Sequence, residues 1–198
     1  MGKKTFFVVC LTVLACVAVS GTARAARTVD PDLIGWWKMD EGSGTTVYDS
    51  SGLGNNGTFG PEGTPQWVVG KFGGGIYLDG SDDYINIDGV ANDMPANNNI
   101  TISAWIMQTT ADEGNVIGGN ESGGGHDFIF GVTAGGQLLI EADTVHNYGS
   151  GLNDGQWHMI TYVRNGTTAY LYIDGVQVGT ETPGGDPHRE VQWSIGQE

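Results

Sequence analysis

Cysteine is almost missing: the 198-residue chain has two, Cys10 and Cys16, both within its first 25 residues. Downstream of them no disulfide framework and no thiol nucleophile is available. Basic residues are scarce as well, 8 Lys and Arg against 23 Asp and Glu, for a net charge of −15. Nucleic-acid binding needs clustered cations to neutralise phosphates; the few here are scattered, so no nucleic-acid partner is expected. Long apolar runs are absent too. The longest, Phe6 to Val19, has 14 residues, short of the ~20 that span a bilayer. Helical periodicity is missing throughout, and the 34 glycines leave little room for it.

What is present begins with an export signature. Lys3 and Lys4 precede the apolar run, and Ala23-Arg24-Ala25 offers a small-x-small cleavage site. Residues 1–25 therefore read as a signal peptide outside the fold, 26–32 as a short leader, and 33–198 as one domain. Removing Lys3, Lys4 and Arg24 takes the net charge from −15 to −18. Such a surface repels anionic membranes and suits calcium, whose ligands are hard oxygens. The expected location is secreted or at the cell surface.

Strand patterns dominate the remainder. Ile100, Ile102, Ala104 and Ile106 alternate with polar or amphipathic residues, the period of a half-buried strand. Similar segments recur at 75–79, 84–87, 127–132, 137–142, 157–164, 169–173 and 176–180. Clusters of Gly, Asn, Asp and Ser separate them. Between the last two, Asp174-Gly175 occupies the two-residue position where a type I′ hairpin needs positive φ twice. Many short strands without crossover helices imply an all-β fold, an antiparallel two-sheet β-sandwich or jelly roll.

Three ordered segments resemble the laminin G-like jelly roll of the concanavalin A-like lectin/glucanase superfamily. They are Leu33 to Gly57, with its Asp49-Ser-Ser-Gly52 loop; Tyr77 to Tyr84 followed by Ile100 to Trp105; and Gly155-Gln-Trp-His158 leading to Tyr170 to Gly175. The resemblance implies a secreted carbohydrate-binding module with structural calcium. The expected partner is a polysaccharide or glycoconjugate, or else an extracellular protein, with further domains downstream. The alternative is an adhesion or spacer domain. It also implies a closing strand after Val191 to Ile195, beyond Glu198, so that the sandwich reads as lacking its C-terminal strand and Leu33–Met39 as having an open edge. Truncation, or a strand supplied by another chain, accounts for that reading.

Candidate calcium ligands are Asp40, Asp49, Asn55 and Asn56. A short loop bearing these oxygens can wrap a cation that accepts 6–8 of them at flexible geometry. The same residues also form a tight turn if Asp49 and Asn56 bond neighbouring N–H groups. Candidate sugar-contacting residues are Trp67, His126, Asp127, Glu141, Asp143, His146 and Tyr148, an aromatic and carboxylate set suited to orienting hydroxyl groups.

Enzyme chemistry finds no complete constellation. Glu141 and Asp143 share a strand face, but Val145 and His146 stand where the superfamily's glucanases carry a third carboxylate. Gly52-Leu-Gly54-Asn-Asn-Gly57 matches a dinucleotide fingerprint in letters alone, since no helix follows it. His158, at a strand start, reads as structural. The sequons at Asn56, Asn99, Asn120 and Asn165 follow from Asn and Thr being common in turns and strands.

Overall fold

The alternation read at Ile100 is realised as β8 (Ile100–Gln108), in which every second residue is buried. The computed structural model describes residues 6–14, 29–61, 63–96, 98–109, 113–120, 126–142, 144–184 and 190–196; for 6–14, 126 and 127 it describes the backbone alone. The chain order continues around β8. It is preceded by β1 (Phe6–Leu14), β2 (Leu33–Trp37), β3 (Thr46–Val47), β4 (Gly57–Phe59), β5 (Gln66–Val69), β6 (Gly74–Leu78) and β7 (Ile85–Asn86), and then a 3-10 turn, Asp88–Asn92. It is followed by β9 (Gly114–Asn120), β10 (His126–Val132), β11 (Leu138–Ala142), β12 (Thr144–Tyr148), β13 (His158–Asn165), β14 (Thr168–Ile173), β15 (Val176–Glu181) and β16 (Gln192–Ile195).

Every pairing is antiparallel. Sheet A runs β15-β14-β13-β8-β1-β6-β5, with β2 also on β1; sheet B runs β12-β11-β10-β9-β16-β7-β4-β3. Inward residues of both sheets meet in one core. Phe128 and Trp193 from sheet B pack on each other at 5.6 Å, and Phe128 meets Tyr162 of sheet A edge-on at 5.4 Å. All three are nearly or fully buried, and such ring pairs add about 0.5–1.5 kcal/mol each beyond area burial.

Two expectations met different outcomes. The Asp174-Gly175 hairpin forms as read, with φ of 50° and 79° at its two central residues. Residues 1–25, by contrast, do not all lie outside the fold. Phe6–Leu14 forms the central strand β1, paired along β8 on one edge and with β6 and β2 on the other. The physical reason is composition: nine residues free of Gly and Pro and rich in Phe and Val have the character of a strand as much as of an export signal. β2, expected to have an open edge, pairs with β1 along one side, Leu11 to Leu14, and its other side carries one isolated bridge, Trp37 to Asp49.

The Asp174 hairpin also fixes β13. The Asp174 carboxylate accepts the Met159 N–H at 2.9 Å and holds His158 Nδ1 at 2.7 Å, while His158 Nε2 lies 3.2 Å from Asp154. Burial pulls the imidazole's pKa down, but the Asp174 and Asp154 carboxylates outweigh it, and the net direction is up from 6.5. A raised folded-state value means that the stabilisation is present below the unfolded pKa and lost as pH rises through the folded one. His158→Gln is expected to lower Tm at about pH 6 and to have little effect at about pH 9. Thermal melts at both pH values check this; an equal loss at both would remove the charge from the explanation.

Candidate polar cleft on sheet B

Strand alternation splits three neighbouring strands of sheet B into an apolar and a polar face. Ile85, Trp193 and Ile195 enter the core. Asn86, Gln192 and Ser194 take the other face, where Ser194 registers with both Asn86 and Gly118, and Gln192 with Asn120. Together with Tyr84, Asp88, Asn120 and Trp193 they line a cleft of about 120 Å³. It is an open trough, small beside the enclosed sites of drug-sized ligands.

The trough is held in shape by its own residues. Asp88 Oδ1 accepts the Trp193 N–H at 2.7 Å and its Oδ2 accepts from Asn86 Nδ2 at 2.7 Å. Asn86 Oδ1 in turn accepts the Asp88 N–H at 3.0 Å, so the carboxamide cannot flip without losing both bonds. Three carboxamides, a hydroxyl, a carboxylate and a phenol offer both donors and acceptors, the chemistry that pairs with polyhydroxyl ligands.

The residues nominated from sequence do not gather in one place. Trp67 lies in sheet A, packs on Phe59 at 5.6 Å and donates Nε1–H to the Gly44 carbonyl at 2.9 Å, which makes it a staple of its loop. Glu141 stands on β11 in register with Ile129 and Val145, and Ile129 registers with Gly118, so Glu141 shares the face of the cleft. His146 and Tyr148 take the opposite face of β12, where their rings stack at 6.4 Å. His146 Nε2 is 2.9 Å from the Thr144 hydroxyl. Burial pushes up the carboxyl of nearby Glu181, with His146 and Arg164 opposing the shift. The side chains of His126 and Asp127, and Asp143 altogether, lie outside the described residues.

The four nominated calcium ligands are engaged as turn builders. Asp49 Oδ1 accepts the N–H groups of Trp36 and Ser51 at 2.9 and 2.8 Å. Its Oδ2 accepts from Ser51 Oγ at 2.6 Å, Gly54 N at 3.1 Å and Asn55 N at 3.0 Å. Five donors fill the roughly four lone-pair sites of a carboxylate. Burial works against the charge, but these bonds outweigh it and lower the pKa of Asp49. Asn56 Oδ1 accepts the Asp49 N–H, and Asn55 donates to Ile34 O and to Asp93. Asp40 serves another turn, accepting the Gly74 N–H at 2.8 Å. These hydrogen bonds build the turn the sequence offered as the alternative to a cation site.

Carboxylates converge instead at the turn after β6. One oxygen from each of Asp79, Asp82 and Asp83 lies within 4.8 Å of the others, a spacing that could hold a metal ion. Burial first, and then the charges of Asp79 and Asp82, raise the pKa of Asp83 against the pull of the Asp79 and Thr64 N–H groups. No single residue in Tyr77 to Tyr84 hinted at this. The sequence signal was the Asp79, Asp82, Asp83 spacing around Gly80 and Ser81.

An antiparallel two-sheet sandwich with a polar trough on one outer face is a jelly roll of lectin-like architecture. Residues 79–198 match a laminin G family model described as the concanavalin A-like lectin/glucanases superfamily, and the chain belongs to that superfamily. Among curated proteins there is no match. Among solved structures, the chain is similar to domain 4 of AbnA, an extracellular GH43 arabinanase of Geobacillus stearothermophilus, solved in complex with arabinotriose. Identity is 19%, the TM-score is 0.56, and 75% of this chain and 76% of that one are covered. It is also similar to the binding domain of Paraclostridial Mosquitocidal Protein 1, at 14% identity and a TM-score of 0.54, covering 80% of this chain and 48% of that one. Likeness at these identities concerns the fold. Among the described residues no helix is long and apolar enough to cross a membrane.

Proposed function

We propose that residues 33–198 form a non-catalytic carbohydrate-binding module, exported by the signal in residues 1–25 and acting outside the cell or on its surface. The observation that carries the reading is the Asn86–Asp88 pair, locked by its own hydrogen bonds beside Ser194 and Asn120. Preorganised amides and hydroxyls lose little entropy on binding and discriminate well among hydroxyl patterns. Glu141 extends the same face three strands beyond Ser194, roughly 14 Å at ~4.8 Å per strand. A short stretch of polysaccharide lying across sheet B would reach both. Domain 4 of AbnA, similar in fold, was solved with arabinotriose, which supports an oligosaccharide as the ligand class. The reading includes no bond cleavage, because Val145 and His146 leave Glu141 without the further carboxylate that glycoside hydrolysis on this strand requires.

The test is a glycan array followed by titration of the best oligosaccharide. Asn86→Ala is expected to weaken binding about tenfold, as loss of one or two hydrogen bonds at roughly 1 kcal/mol each implies. Asn56→Ala, away from the cleft, should leave affinity unchanged. A folded protein that retains no glycan would leave the adhesion or spacer reading in its place. Structural calcium enters the same reading at Asp79, Asp82 and Asp83, whose hard oxygens suit it. Calcium at ~100 times its Kd should stabilise the fold by about 2.7 kcal/mol, and Asp82→Asn should abolish the gain. Identical melts in calcium and in chelator would retire the ion.

A further inference from the structure

The polar row that enters the cleft continues outward over sheet B. Residues paired across antiparallel strands point to the same face, so the register carries a row from strand to strand. Ser194 on β16 pairs with Asn86 on β7, Asn86 with Thr58 on β4, and Thr58 with Thr46 on β3. Alternation agrees with this assignment, since Val47, Ile85 and Ile195 beside them enter the core. The row climbs as it leaves the cleft: Ser194 is buried, whereas Asn86 and Thr58 are exposed. Neither threonine hydroxyl has a hydrogen-bond partner among the described residues, and each can donate and accept. In the other direction the row passes Gly118 and Ile129 before it reaches Glu141, and neither offers a polar side chain. The continuous track of hydroxyls and amides therefore leads from the cleft toward β3.

Spacing and charge select its occupant. Polar groups recur once per strand, every ~4.8 Å, close to the length of one sugar unit in an extended chain, so Thr46 to Ser194 spans roughly 14 Å. Adjacent strands also rotate by about 20–25°, which turns the outward direction by about 60–75° over the three steps. A single soluble chain can twist to follow that turn; the flat face of a crystalline polysaccharide cannot. The described Lys and Arg side chains all belong to sheet A: Lys38 lies over Trp36, Lys71 over Trp105, and Arg164 is on β13. The outer face of sheet B carries instead the carboxylates of Asp88 and Glu141, on a chain of net charge −15. Such a field repels uronates and other anionic sugars.

We infer that the cleft is one end of a longer binding track, which takes a soluble, neutral oligosaccharide of roughly four units across β16, β7, β4 and β3, with Thr58 and Thr46 as further contact residues. The inference rests on the carbohydrate-binding reading and deepens it.

The experiment titrates the full-length protein by calorimetry with neutral xylo-, manno- and arabino-oligosaccharides of two to six units, and with oligogalacturonates of the same lengths. For a neutral series, affinity is expected to rise with each unit up to roughly four and then to level off. Thr58→Val keeps the shape and strand preference of the residue but removes its hydroxyl. It should weaken tetrasaccharide binding about fivefold and leave the disaccharide, held in the cleft, unchanged. Thr58→Ser, which keeps the hydroxyl, should bind like wild type, and unchanged melting temperatures verify that both variants are folded. Three outcomes overturn the track: affinity that is complete at the disaccharide, Thr58→Val equal to wild type for the tetrasaccharide, and an equal loss in Thr58→Ser. Oligogalacturonates that bind as tightly as neutral chains would overturn the ligand class. Failure of the underlying reading looks different, because then no oligosaccharide of any length binds; binding that depends on Asn86 but ignores length and Thr58 overturns the track alone.

Discussion

Trp37→Ala is expected to cost about 4 kcal/mol of unfolding free energy, within the ~3–5 kcal/mol typical of deleting a fully buried Trp. Trp37 has no solvent exposure and belongs to the main core. Its indole N–H is bonded to the Asn55 carbonyl at 2.7 Å, so truncation opens a cavity and strands a buried acceptor together. The site cannot collapse easily, because Gly35, two residues back on the same strand, already yields its side-chain volume to this ring: a Cβ at Gly35 would lie 2.3 Å from it. Urea unfolding measures the loss. Trp37→Phe should recover most of the volume term and leave a deficit of about 1–3 kcal/mol from the unpaired carbonyl. A Trp37→Ala loss under ~1 kcal/mol would mean that the ring is not the anchor its burial indicates.

Asp49→Ala is expected to destabilise by about 3 kcal/mol: a hydrogen bond to a charged acceptor contributes roughly 1.5–3 kcal/mol net, and at this half-buried carboxylate water can take over part of the set once it is broken. The loss falls at one place, the junction of β2 with the loop up to Asn56. Asp49→Asn should be nearly as harmful. Its NH2 group would face the Gly54 and Asn55 N–H groups that now donate to Oδ2, setting donor against donor. The pH dependence has a definite sign. The folded pKa lies below the unfolded 3.8, so the stabilisation is present above 3.8 and disappears as pH falls through the depressed value. Wild type and variant should therefore converge in acid. The penalty should also be the same with calcium and with chelator; a penalty seen in calcium alone would restore Asp49 as a metal ligand.

Much of the architecture is legible in the sequence wherever a strand is long enough to show its period. β8 alternates over nine residues, and Asp174-Gly175 dictates its own turn. β9 is illegible by the same rule. Gly114-Asn-Val-Ile-Gly-Gly-Asn120 has too many glycines to look like a strand, yet it lies in the interior of sheet B because Trp193 and Glu190 pack over the space a Gly119 side chain would need. β1 fails for the opposite reason, since an apolar run fits a signal and a buried strand equally. The cleft was out of reach. Asn86 falls in a segment, 84–87, whose pattern reads as a strand without showing what its outer face meets; it joins Ser194 and Asn120 only because β7, β16 and β9 are neighbours in space. The Asp49 loop was legible as a choice between cation and turn, and its carboxylate accepts the hydrogen bonds that the turn requires.

The position of β16 bears on when this protein can fold. Gln192–Ile195 joins β7, from the first half of the chain, to β9, so the other seven strands of sheet B stay in two unconnected groups until residue 195 has been made. Such long-range closure slows folding. A chain that cannot complete its sheet early stays extended while it is being made, which is the state a polypeptide needs if it is to be threaded through a membrane before it folds.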